Sequence, residues 1–284
     1  MAARLGQYQF VNTVNPFGIL FHPLALEKLV DFAVKGHVFT PSDVFLHNDV
    51  WSCFDAHSDL NALEEEDILF QLNLKIRALR EDLISGSHLI ITLGTAWVYS
   101  EKSTQRMVAN CHKLPQHIFE KTLLDAQTVK ESLERLYLKV KELNPKIKLI
   151  YTISPVRHIK DGMIENQRSK SVLFVGLHDF MDTYKEVYYF PSYEMLVDEL
   201  RDYRYYGPDL IHPNEIALQF VWEKFKESCI EATAFPVMKL VDEVQKGLAH
   251  RAFNPYSNQH QIFLEKIAEK IDHLLEQYPH MNFR

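Results

Sequence analysis

Hydrophobic positions along the chain recur with two different spacings. Short runs rich in β-branched and aromatic residues lie at residues 10–14, 88–93, 147–153 and 187–190, which predicts strands. Two of them, HLIITL and IKLIYTI, are apolar almost throughout, as strands covered on both faces are. Between them the spacing becomes helical. Ile68, Leu72, Ile76, Leu79 and Leu83 share one face, and Val129, Leu133, Leu136, Tyr137, Val140 and Leu143 share another. Asp125 stands where the second of these helices needs its N-cap, and Pro145 stops it. A third face runs through Leu218, Val221, Trp222, Phe225 and Cys229. The acidic residues 64–67 read as a first helical turn, where carboxylates oppose the helix dipole. Strands separated by helices predict an α/β fold around a parallel sheet. Beyond Pro236 the strand pattern ends, and two helical patterns follow, at 237–248 and 263–278, divided by the turn-rich AFNPYSN. The expected organisation is therefore a domain over 1–235 and a helical C-terminal extension over 236–284.

Composition narrows the class. The chain has 284 residues, 46% hydrophobic and 24% charged, which suits a packed core and excludes disorder as the main state. Its net charge of −7 and dispersed basic residues exclude a nucleic-acid footprint. No apolar run approaches the ~20 residues of a membrane span, so no membrane partner is expected. Three cysteines without a CxxC pair fit a reducing cytoplasm. Neither GxGxxG nor GxxxxGK[ST] occurs, and no HExxH or similar ligand spacing is present. No metal or other cofactor is expected.

In open parallel sheets ligands bind beyond the carboxyl ends of the strands. The segments following the four runs are NPFG, GTAWVY, SPVRH and PSYE, and GPDLIHPNE comes later. Asp209 lies three residues before His212, and none of the other histidines, 14 in all, has an aspartate at that distance. In a loop this spacing lets the carboxylate accept from Nδ1, leaving Nε2 as a general base. A helix-entry aspartate beside a surface histidine has the same spacing. The string Asn110, Cys111, His112, Lys113 invites a Cys–His nucleophile, yet adjacent residues in a strand face opposite ways, and a polar surface loop reads alike. His22 and His57 read as packed or surface histidines. Tyr203, Tyr205 and Tyr206 beside Arg204 line either a pocket or the edge of the core.

Taken in order, VNPFGI, TLGTAWVY, VANCHKLP, SPVRH with DG and ENQRSK, FPSYEMLVDELRDYR and DLIHPNE resemble the GSCFA family, a branch of the SGNH (GDSL-like) hydrolases. The resemblance spans residues from near 10 to about 225. It implies a flavodoxin-like three-layer α/β/α sandwich and serine-type hydrolysis of a small-molecule or glycan ester, with Asp209 and His212 as acid and base. The chain departs from this pattern twice. The Gly-Ser-Cys-Phe-Ala string that carries the family's serine is absent, and MAARLGQYQF resembles the helix after it. The expectation is an N-terminally clipped protein lacking its first strand and inactive as written. Ser52-Cys53-Phe54 has no preceding strand or glycine and reads as a decoy. Where SGNH enzymes have G-x-N, this chain has Gly94-Thr95-Ala96. Oxyanion donors then come from Gly18 or Gly94 N–H, the Thr95 hydroxyl or Asn110, and Arg157 and His158 are the expected substrate contacts. The alternative is a catalytically dead module that binds a carbohydrate or acyl ligand.

Overall fold

The structure is a computed structural model and describes residues 1–11 and 13–283. In chain order its elements are α1 (Ala2–Gln7), α2 (Pro23–Lys35), β1 (Phe45–His47), β2 (Val50–Ser52), α3 (Glu65–Ser85), β3 (His88–Leu93), β4 (Trp97–Glu101), β5 (Met107–Val108) and β6 (Phe119–Leu123). They continue with α4 (Ala126–Leu143), β7 (Lys148–Ile153), α5 (Met163–Thr183), β8 (Tyr188–Tyr189), α6 (Ser192–Glu194), α7 (Glu215–Cys229), α8 (Phe235–Ala249) and α9 (Asn258–Gln277). The chain divides into two compact units, Asn15–Ala217 and a second made of Met1–Val14 with Leu218–Arg284.

The larger unit is mixed α/β. Its parallel sheet has the order β3-β7-β8, with His88 opposite Lys148, Leu93 opposite Ile153 and Tyr151 opposite Tyr189. All three strands therefore end at one rim. Parallel strands need helical crossovers, and α4 and α5 supply them. The α3 face Ile68, Leu72, Ile76, Leu79 and Leu83 is buried, as its spacing predicts. So is the α4 face apart from the half-buried Leu143, and the Asp125 carboxylate accepts from Thr128 N–H at 2.7 Å and caps the helix.

Two parts of the architecture differ from expectation. The described residues of the 10–14 run form no strand. Among those described, Val11 is 81% exposed and Val14 47%, so the run has no apolar layer to cover it; Asn12 lies outside the described residues. The segment after β3 is not wholly a loop. Only residues 94–96 bridge to β4, which pairs antiparallel with β5 and β6 in a second sheet. A hairpin of β1 and β2 turns through Asn48 and Asp49, both at positive φ, the two-residue turn whose twist matches its strands.

The smaller unit has its own core of Val241, Val244, Ile267, Leu274 and Met281 from α8, α9 and the chain end. Gly247 lets these helices close, since a Cβ there would stand 2.4 Å from Ile267 Cδ1. Tyr8 stacks on Trp222 at 5.6 Å in the same unit. Among the described residues no helix is long and apolar enough to cross a membrane.

Candidate active site

Asp209 and His212 occupy a short loop closed on itself. Gly207 N–H donates to His212 O, and Leu210 N–H donates to Gly207 O. Leu210 takes φ 57, a left-handed conformation unusual for a branched side chain. Asp209 Oδ1 accepts the N–H groups of Ile211 and His212, both at 3.0 Å. Its Oδ2 lies 2.6 Å from His212 Nδ1. A carboxylate can only accept, so Nδ1 carries the proton and Nε2 the lone pair. The bond from His212, then the two amides, hold the Asp209 carboxyl down to about 2. This contribution to stability is present above the ordinary carboxylate range and is lost as pH falls through about 2. The histidine side chain is 65% exposed, and among the described residues no protein group pairs with Nε2.

The loop is anchored on both sides. Asn214 donates to Arg204 O at 2.7 Å, and its Oδ1 accepts the Ile216 and Ala217 N–H groups at the start of α7. Tyr206, bridged to Pro213, receives Arg157: the guanidinium lies 5.2 Å from the ring centroid and 3.4 Å from the hydroxyl. Arg157 follows β7, so this contact ties the dyad loop to the carboxyl end of that strand. Next to it, the His158 ring meets Phe21 edge-on at 5.3 Å. Phe21 O in turn accepts the N–H groups of Gly94 at 2.8 Å and Thr95 at 3.0 Å. Arg157, His158, Gly94 and Thr95 thus share the rim of β3 and β7.

The other two expected residues belong to a second cluster around residues 53–57. Gly18, at φ 73, packs so closely on His57 that a Cβ would stand 2.2 Å from the His57 Cβ. Asn110 donates its N–H to Phe54 O, and its Oδ1 accepts His112 N–H at 2.8 Å. His112 is buried, with Nε2 2.7 Å from Cys53 O, while Asn110 and Cys111 are half-buried and Lys113 is exposed. Burial pushes the Cys53 thiol up to about 12 and Cys111 up to about 11, which leaves both inert at neutral pH. The main-chain N–H groups of Gly18, Gly94 and Thr95 all donate to carbonyls, Gly18 to Asn15 O at 2.8 Å. None of the three is open to an oxyanion in this conformation.

One set of residues received no role from sequence. Lys170 is 1% exposed, and its Nζ donates to Gly94 O and Ser154 O, both at 2.6 Å. Ser169 Oγ accepts Ala96 N–H at 2.7 Å and lies 3.0 Å from Thr95 Oγ1. Asn166 Oδ1 accepts His158 N–H at 2.9 Å. All three stand in the ENQRSK string; the available signal was their helical spacing on a face where apolar residues are expected. A separate surface concavity of about 540 Å³, lined by Leu123, Ile164, Gln167, Arg168, Ser171 and Val172, contains none of the expected site residues.

These features define an α/β protein with an Asp–His dyad on a loop joined to the carboxyl rim of a parallel sheet. The chain belongs to the GSCFA family: residues 1–225 match the GSCFA family model, and residues 241–284 match that of the GSCFA domain protein, C-terminal domain. Neither the curated proteins nor the solved structures give a match.

Proposed function

We propose that the protein is a serine-type ester hydrolase of the SGNH kind, built on a flavodoxin-like α/β/α plan, acting on a small-molecule or glycan ester such as an acetylated sugar. The observation that carries this reading is the 2.6 Å contact between His212 Nδ1 and Asp209 Oδ2, which leaves Nε2 open as a base. In this reading Asp209 orients the ring, and His212 removes the proton of the attacking hydroxyl and returns it to the leaving group. The family pattern draws the attacking hydroxyl from a Gly-Ser-Cys-Phe-Ala string, which residues 1–284 do not contain. Arg157 and His158 contact the polar part of the substrate. The chemistry is assigned to residues 1–235, with 236–284 as a helical extension. Three free thiols suit the cytoplasm.

The second reading, a binding module for a carbohydrate or acyl ligand, is favoured by the commitment of the Gly18, Gly94 and Thr95 amides to carbonyls. Hydrolysis of 4-nitrophenyl acetate separates the two. Extending the chain upstream by the family segment should give turnover that His212→Ala reduces by about 10²-fold or more. Equal rates for the extended protein and its His212→Ala variant would defeat the hydrolase reading.

A further inference from the structure

Lysine ordinarily runs its stem along apolar surface and keeps the ammonium in water. Lys170 does the opposite, and among the described residues no carboxylate pairs with it. Its partners are two carbonyls, Gly94 O and Ser154 O, each belonging to the first residue after a strand. One turn earlier on the same face of α5, Asn166 holds His158 N–H, and the adjacent Ser169 holds Ala96 N–H. A core position would be served better by an apolar residue, since a buried charge is costly without a partner. What this face gains is a fixed distance between the segments after β3 and β7.

We propose that Lys170 is a positioning residue of the candidate site, acting through the two main-chain segments it joins and through the neighbouring His158. The word "site" rests on the hydrolase reading; the geometry does not. Burial pushes His158 below its ordinary value, the Lys170 charge pushes it further, and Asp161 opposes. Asp161 is itself ion-paired with Lys121, and the uncharged Phe21 ring lies perpendicular to the imidazole. Burial lowers Lys170 to about 7. Below that pH the ammonium is charged, which is the range in which a histidine would otherwise take up a proton. Burial and the Lys170 charge both favour the neutral ring of His158, which has one N–H and one lone pair, the complement of a substrate hydroxyl.

The test is an NMR titration of the His158 ring, with amide exchange at Gly94 and Ser154, in the wild type, Lys170→Met and Leu177→Ala. Lys170→Met should raise the His158 midpoint by about half a pH unit and speed exchange of both amides roughly tenfold. Leu177→Ala loosens the buried face of α5 without removing charge, and should leave the midpoint in place. An unchanged midpoint in Lys170→Met, even with faster exchange, would reduce the lysine to a packing role and overturn the proposal. If that variant does not fold, the wild type decides: a His158 midpoint at or above 6.5 is the contrary result. Absence of ester turnover would count against the hydrolase reading alone, because neither measurement uses a substrate.

Discussion

His22 shows how much one side chain can determine at the residue scale. It is 4% exposed, its Nδ1 accepts Ala25 N–H at the start of α2, and its Nε2 lies 3.3 Å from Val108 O. The bond from Ala25 requires the neutral ring, since Nδ1 must keep its lone pair, while Nε2–H donates to the Val108 carbonyl. Burial lowers the residue from 6.5 to about 4. A histidine depressed in this way stabilises the fold above its unfolded value, and that stability is lost as pH falls toward the folded one. The contribution is about 3 kcal/mol, all of it disappearing between pH 6.5 and about 4. Urea midpoints measured across this window should fall steeply for the wild type. His22→Asn, which keeps a capping group but has nothing to protonate, should show a shallower fall; parallel curves would contradict this account.

At the scale of elements, α5 joins two functions in one helix. Its first turns bury Asn166, Ser169 and Lys170, which hold the rim, and its later turns bury Leu173, Gly176, Leu177 and Phe180. At Gly176, α5 packs tightly against α4. A Cβ there would lie 2.7 Å from Ala126 O and 2.7 Å from the Val129 side chain. Helix propensity favours alanine over glycine by about 1 kcal/mol, while overpacking a tight contact costs about 1–3 kcal/mol. Gly176→Ala should therefore lose up to about 2 kcal/mol in chemical denaturation. A gain in stability would show that the helices can separate without penalty.

At the scale of the whole molecule, each of the two units has buried apolar residues of its own, and each can be probed by itself. Leu274 is 2% exposed in the smaller core, alongside Val241, Val244 and Ile267. Leu274→Ala should remove about 2–5 kcal/mol there, read as faster amide exchange along α8 and α9. Unchanged protection in those helices would mean that the C-terminal core contributes little to holding them.

Periodicity alone determined the elements whose buried face is apolar. The α3 and α4 faces, the Asp125 cap, β3 and β7 were legible because burial of a continuous stripe leaves a repeat in the residues themselves. The dyad was legible too, since a three-residue spacing is a local property. The antiparallel sheet of β4, β5 and β6 was not, because its partially exposed strands carry mixed polar residues and pair through contacts distant in sequence. Nor was α5 legible, for its opening turns bury amide, hydroxyl and ammonium groups where a hydrophobic pattern would require apolar ones. Only the tertiary structure decided that Gly94 and Ser154 meet at one lysine, and that Arg157 reaches the dyad loop through Tyr206. Those are meetings of polar groups across 16, 49 and 76 positions of chain, and no local repeat encodes such partners.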